Sequence, residues 1–209
     1  MAEIFDPREI EKKSFEIITQ RLNGKVFDGG RDSVIKRVIH TTADFEYADN
    51  LVFGGDATDV IKRTLKGGCC IVTDTNMALQ GINKKWLNEW GCKVKCFMSD
   101  DDVARKAKER GITRAMVSME KACEIKEKMI LAVGNAPTAL MAADKLIKEG
   151  KMRPEAIIAV PVGFVNVIES KERIINGSVP FIAARGNKGG STVAAAICNA
   201  LIYDAAEGK

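Results

Sequence analysis

Short apolar runs alternate with amphipathic stretches along almost the whole chain. Val34–Ile39, Cys69–Val72, Val94–Met98, Met129–Val133, Ala156–Val162 and Pro180–Ala184 are apolar segments of four to seven residues bounded by turn residues, which predicts strands. Helical patterns lie between them. Phe45, Ala48 and Val52 mark one helix, and Met77, Leu79 and Ile82 another. Ser99-Asp100-Asp101-Asp102 has the signature of a capping box opening a helix that stops at Gly111. Further helices are predicted over Thr138–Lys148, after the loop that follows Val162, and over Thr192–Asp204. Near-continuous apolar strands separated by helices imply a mostly parallel sheet covered on both faces, an α/β architecture. The opening helix, Pro7–Leu22, falls outside this rhythm and is expected to pack on one edge. No linker, low-complexity tract or repeat interrupts the pattern, so residues 1–209 read as one domain.

In such a sheet ligands bind where strands end and helices begin. Those places are His40-Thr41-Thr42, Asp74-Thr75-Asn76, Ser99–Asp102, Gly134–Pro137, Gly163–Asn166 and Arg185–Thr192, and small and polar residues gather there.

Composition narrows the function classes. With 46% apolar and 29% charged residues in 209, the chain is an ordinary globular protein, able to bury roughly 70% of its unfolded surface without a disulfide or metal staple. A net charge of +4, spread along the sequence, lacks the footprint of a nucleic-acid binder. Met1–Glu16 is charged throughout and has no apolar signal core. Ala156–Ile168, the most apolar stretch, is broken by Pro161, Gly163 and Asn166, so no membrane association is expected. The cysteines at 69, 70, 92, 96, 123 and 198 form no CxxC pair and have no histidine nearby, so they read as reduced, packed thiols of a cytoplasmic protein with no metal site.

His40 is the only histidine, and its expected place at a strand end makes it the candidate acid or base; the alternative is a residue that only caps or packs. Arg185-Gly-Asn-Lys-Gly-Gly-Ser-Thr192 looks like a phosphate cradle, but a Walker loop needs Lys directly before Ser or Thr, and Gly190 stands there. What remains is a glycine-rich helix start with Arg185 and Lys188, suited to an anion. Gly134-Asn-Ala-Pro137 is a second such turn, with Pro137 fit for a first helical turn. A dinucleotide fold would need GxGxxG after the first strand, where His-Thr-Thr is read instead. Arg114 reads as a solvated base on a turn; Trp86 and Trp90, four apart on one helix face, read as core or subunit contacts.

Taken together, Arg37-Val-Ile-His40-Thr-Thr-Ala-Asp-Phe-Glu-Tyr47, Asp74-Thr-Asn-Met-Ala78, Gly134-Asn-Ala-Pro-Thr-Ala139, Pro161-Val-Gly-Phe-Val-Asn166 with Glu169-Ser-Lys171, and Arg185-Gly-Asn-Lys-Gly-Gly-Ser191 resemble the precorrin-8X methylmutase family, from about Pro7 to Ala200. The anaerobic members are cobalt-precorrin-8 methylmutases of cobalamin biosynthesis. The resemblance implies a flavodoxin-like three-layer α/β/α domain, a homodimer with sites near the interface, and migration of a corrin methyl group from C11 to C12. No cofactor is implied; cobalt, when present, would travel inside the ring. The family's catalytic histidine falls on His40.

A corrinoid is a flat apolar ring fringed with carboxylates, so it wants an apolar cleft with anion-binding groups on the rim. Arg114, Arg185 and Lys188 would pair carboxylates, and N–H groups after Thr42, Gly134 and Gly190 would take others. Thr41, Thr75 and Asn135 at the strand ends, with Ser14 and Arg21 on the opening helix, complete the expected rim. Two rivals share these features: a nucleotide- or phosphosugar-binding enzyme, and a non-catalytic tetrapyrrole carrier.

Overall fold

Side chains along the central strands part alternately to two apolar clusters. In β4 (Met129–Val133), Met129, Leu131 and Val133 enter one cluster and Ile130 and Ala132 the other. β5 (Ala156–Ala159) and β6 (Phe181–Ala184) divide the same way, as does β2 (Cys70–Thr73), where Ile71 faces opposite to Cys70 and Val72. A strand buried on both faces needs a helical layer on each, and the sheet has both. The computed structural model describes residues 5–207, so the ends of the expected 1–209 unit, residues 1–4 and 208–209, lie outside the described residues.

Among the described residues, six strands run in the order β1-β6-β5-β4-β2-β3, with β1 spanning Leu51–Gly54 and β3 Lys93–Lys95. All pairings are parallel except β1 with β6, where Leu51 stands opposite Ala184. One face is covered by α2 (Arg31–Thr42), α4 (Ala57–Lys66) and α11 (Ser191–Glu207), with the short α3 (Tyr47–Asn50), α5 (Asn76–Gly81) and α6 (Lys85–Glu89) beside them. The other is covered by α8 (Arg114–Ala122), α9 (Pro137–Lys148) and α10 (Val167–Ile175). α7 (Asp101–Arg110) packs on α8 through Val103, Ala107 and Val117. The mostly parallel, three-layer α/β expectation therefore holds. Among the described residues, no helix is long and apolar enough to cross a membrane.

The first predicted strand is a helix. Val34, Ile35, Val38 and Ile39 are buried while Arg31 and His40 are exposed, which is helical periodicity. Their β-branched character imitates a strand in a run this short, but α2 begins after Gly29 and Gly30, both left-handed, and ends at a left-handed Ala43. Val52, expected on a helix, lies in edge strand β1. The opening helix α1 (Pro7–Arg21), capped by Asp6, lies against α2 through buried Ile18 and Leu22, as an outer layer and not on a sheet edge. Gly111 ends α7 with φ 62° as expected, but Asp100 at its N-cap makes no capping bond; its carboxylate takes Lys121 instead, 2.6 Å away. Trp86 and Trp90 stack at 6.2 Å, partly buried against the α2–α11 side of the core.

Two loops approach so closely at Gly134 that a Cβ there would lie 2.7 Å from the Gly190 carbonyl oxygen and 2.8 Å from Ser191 Cα. Gly134 has no positive φ, so alanine would ordinarily stabilise by about 0.4–1 kcal/mol through the unfolded chain. Backbone crowding reverses the sign: Gly134→Ala is expected to destabilise by about 1–3 kcal/mol in urea unfolding. A variant as stable as the parent would contradict this close approach.

Candidate functional site

The carboxyl edge of the sheet is organised by a buried carboxylate. Asp74, next after β2, has no exposed surface; its Oδ1 accepts from Gly134 N–H at 2.8 Å and its Oδ2 from Asn135 and Ala136 N–H at 2.8 and 2.6 Å. Burial pushes the Asp74 carboxyl above the ordinary range, and the three amides pull it back only in part. Thr75 continues the tie: its Oγ1 caps α5 by accepting from Ala78 N–H at 3.1 Å and lies 2.8 Å from Ser191 Oγ. The ends of β2, β4 and β6 are thus joined.

The loops after β5 and β6 are knitted around a cation. Gly190 N–H donates to the Val160 carbonyl at 2.8 Å, Gly163 N–H to the Asn187 carbonyl at 3.1 Å, and Asn187 Nδ2 to the Gly163 carbonyl at 2.6 Å. Lys171 of α10, 0% exposed, donates from Nζ to the carbonyls of Gly186 and Lys188, both at 2.8 Å. Burial lowers its ammonium to about 8. The glycine-rich segment expected to cradle an anion therefore directs two carbonyls at a buried ammonium. From its rim, Lys188 Nζ reaches Asp44 and, at 2.9 Å, Glu46, holding the segment that follows α2. That ion pair keeps the Asp44 carboxyl below its ordinary range.

His40 reaches this edge from the last turn of α2, not from a strand end. It lines a cleft of about 340 Å³ with Arg37 and Thr41 of α2, Met77 and Gly81 of α5, and Thr192, Asn199 and Tyr203 of α11. Small residues Ala195 and Ala196 form part of the wall and let α5 approach: a Cβ on Gly81 would touch Ala195 Cβ at 3.0 Å. Asn199 accepts from Asn83 N–H at 2.8 Å and donates to the Gly81 carbonyl at 2.9 Å, locking α5 to α11. The imidazole stacks on Phe15 of α1, with ring centroids 5.4 Å apart and planes 13° apart.

The expected rim residues divide into groups. Thr41 lines the His40 cleft, although its hydroxyl donates to the Arg37 carbonyl at 2.9 Å, and the Thr42 hydroxyl donates to the Val38 carbonyl at 2.8 Å. Ser14, in α1 one residue before Phe15, donates to the Ile10 carbonyl at 2.9 Å, and Arg21 stands over the Phe45 ring at 5.9 Å. Thr75, Gly134, Asn135 and Gly190 do converge, but of the N–H groups expected to take ligand carboxylates, the one after Thr42 donates to the Ile39 carbonyl at 2.7 Å and the one after Gly134 to Asp74 at 2.8 Å. Arg185 is exposed, with Nε 3.6 Å from Glu172. Arg114 lines a different groove, of about 720 Å³ along α7 and α8; Thr113, beside it, is 3.0 Å from Thr138 at the start of α9. Another groove, of about 760 Å³, runs between α8 and α9. Volume alone does not select a site, and neither groove carries the convergent strand-end loops and the histidine.

Asp74, Lys171, Asn199 and Tyr203 were not singled out as functional in sequence. Asp74 and Lys171 do lie inside the quoted motifs, which was the available signal; Asn199 and Tyr203, four apart on α11, gave none. Among the described residues, no group of three or more His, Cys, Asp or Glu side chains could hold a metal ion, and the six cysteines are free.

Lys171 carries a signed pH effect. Its folded value, about 8, lies below the ~10.4 of an unfolded lysine, so between these limits the unfolded chain holds the extra proton and stability rises with pH. The stability difference between the parent and Lys171→Met should be level below pH 8, then grow in the parent's favour towards pH 10, by at most about 1.4 kcal/mol per pH unit. Denaturant titrations at several pH values measure it; a level difference throughout would contradict the buried ammonium.

Comparison with known proteins gives this geometry a family. The precorrin-8X methylmutase family model matches residues 9–204. A cobalt-precorrin-8 methylmutase of Salmonella typhimurium is 44% identical over 206 residues, covering 96% of each chain. A precorrin-8X methylmutase of Pseudomonas aeruginosa is 34% identical over 200 residues, covering 95% of this chain and 96% of its own. The crystal structure of precorrin-8x methyl mutase from Thermus thermophilus superposes with a TM-score of 0.87 at 35% identity, over 95% of this chain and 98% of that one. A family model spanning nearly the whole chain, relatives matched almost end to end, and a shared fold agree: this chain belongs to the precorrin-8X methylmutase family.

Proposed function

We propose that the protein is the cobalamin-pathway isomerase that moves the methyl group of (cobalt-)precorrin-8 from C11 to C12, with His40 as the acid. The observation that carries this reading is the placement of the only histidine on the wall of a cleft at the edge where the strand-end loops converge, in a chain of this family. His40 lends a proton, or a hydrogen bond, to the ring C nitrogen or its conjugated system. Electron density withdrawn there weakens the C11–methyl bond as the C12–methyl bond forms. The proton is then returned, as an isomerisation requires. Acid assistance of this kind supplies ~10²–10⁴-fold, and orientation in the cleft the rest.

A cleft of about 340 Å³ is near the lower end of ligand sites, which run from ~300 to 1,000 Å³, so it takes one edge of the macrocycle. Thr41 lines the cleft, and contacts to the remainder of the ring are assigned to Ser14, Arg21, Thr42, Thr75, Asn135, Arg185 and Lys188 outside it; for Lys188 to bind a ligand carboxylate it must exchange it for Asp44 or Glu46. Exposed Phe164 and Val165 on the loop after β5, with Met77 at the cleft, support a homodimer that covers this side. Six free thiols suit a cytoplasmic setting.

Incubation with cobalt-containing and metal-free precorrin-8, followed by visible absorption, tests the activity; a carrier returns the ligand unchanged. His40→Ala should lose at least about a hundredfold in kcat while keeping its fold and corrinoid affinity, because an acid needed in the transition state affects rate more than binding. His40→Asn can donate a hydrogen bond but no proton, so near-parental rates in it would assign polarisation, and loss would assign proton donation. Parental turnover by His40→Ala, or an active monomer when sedimentation is run beside the assay, would overturn the acid or the dimer respectively.

A further inference from the structure

We propose that Phe15 is a positioning residue that sets the plane of the His40 imidazole against the cleft; this rests on the reading of His40 as the acid. An exposed histidine at the end of a helix has freedom about both side-chain torsions, and proton delivery to one site needs that freedom removed. Among the described residues, Phe15 is the one aromatic ring stacked on His40, and it can remove that freedom. The Phe15 ring lies nearly parallel to the imidazole, 13° apart in plane and 5.4 Å between centroids, within the range of offset stacking.

Phe15 is itself held. The Arg37 guanidinium stands 4.8 Å from its ring centroid and 5.2 Å from that of Tyr203, and Arg37 Nη1 donates to Glu11 Oε1. Glu11 and Phe15 are four apart on α1, hence on one face; Arg37 and His40 are three apart on α2, hence also on one face. The two faces clasp each other, with Phe15 touching both α2 side chains. Arg37, His40 and Tyr203 line the same cleft, so the clasp forms one side of the site. Elsewhere α1 is fastened chiefly by Ile18 and Leu22, one turn and two turns beyond Phe15, so the helix keeps its seat when the ring is trimmed.

Because His40 is the only histidine, its ring protons can be followed by NMR in the unliganded protein without ambiguity. In the parent they should be shifted upfield by the Phe15 ring. Phe15→Leu should move them downfield and lower kcat by about ten- to a hundredfold, with KM little changed, since orientation and not binding is lost. Phe15→Tyr, which keeps the ring, should restore both the shift and the rate. A loss confined to stability, with kcat intact in the folded enzyme, would make Phe15 a packing residue and overturn the proposal. So would His40 signals that ignore Phe15→Leu, or signals that move while kcat stays parental. Failure of the His40 reading looks different: His40→Ala would then turn over like the parent, whatever the NMR of the Phe15 variants shows.

Discussion

A carboxylate with no exposed surface, bonded to three consecutive backbone amides, holds the carboxyl edge of this sheet together. Transfer of an ion from water to a protein interior costs several kcal/mol unless its lone pairs are met, and Asp74 meets them with Gly134, Asn135 and Ala136 N–H. Those amides open α9, where an anion is favoured in any case. A turn of this kind could have received a ligand carboxylate; the chain fills it with its own. The result joins β2 to β4, fixes Gly134 under the Gly190–Ser191 backbone, and through Thr75 sets the start of α11. Without the carboxylate, three donors would be left with no partner at the place where loops must be most exact.

Lys171 completes this with opposite sign. Its ammonium, equally buried, is met by the Gly186 and Lys188 carbonyls, so the arch between β6 and α11 is shaped from within. Lys188 then carries that shape outward to Asp44 and Glu46, four and six residues past His40. Two buried polar groups, each satisfied by backbone from a neighbouring loop, shape the carboxyl edge of the sheet from within, where the proposed ligand side lies. Preorganisation of this sort reduces the ordering that binding must otherwise overcome. The α1–α2 clasp is the more lightly fastened wall, and it carries His40, the proposed acid.

Much of the fold was legible because the buried strands are apolar runs of strand length. Met129–Val133 and Pro180–Ala184 fell within a residue of β4 and β6, Cys69–Val72 within one of β2, and Pro137 and Gly111 marked helix ends by their own geometry. Val34–Ile39 misled because six residues rich in β-branching can suit either a strand or a buried helical stripe; only what packs on each side decides. His40, singled out for its chemistry, was therefore expected at a strand end and lies on a helix. The deeper organisation was not legible. Asp74 bonds amides sixty residues away, and Lys171 in an amphipathic helix looks like any solvated lysine until the loop that closes over it is seen. The N–H groups after Thr42 and Gly134 were expected to serve a ligand, and both are bonded within the chain; sequence shows which donors exist but not which are already taken.

Hydrogen exchange at the Gly134, Asn135 and Ala136 amides in the unliganded protein tests this organisation most directly. Asn135 is exposed, and an amide in an ordinary surface turn there would exchange nearly as fast as in a free peptide. Bonded to a buried carboxylate, all three are expected to exchange only with opening of the sheet core, at rates close to those of the β4 amides. Exchange within about tenfold of the unstructured rate would mean that Asp74 does not hold the turn and that the edge is not formed before ligand binds.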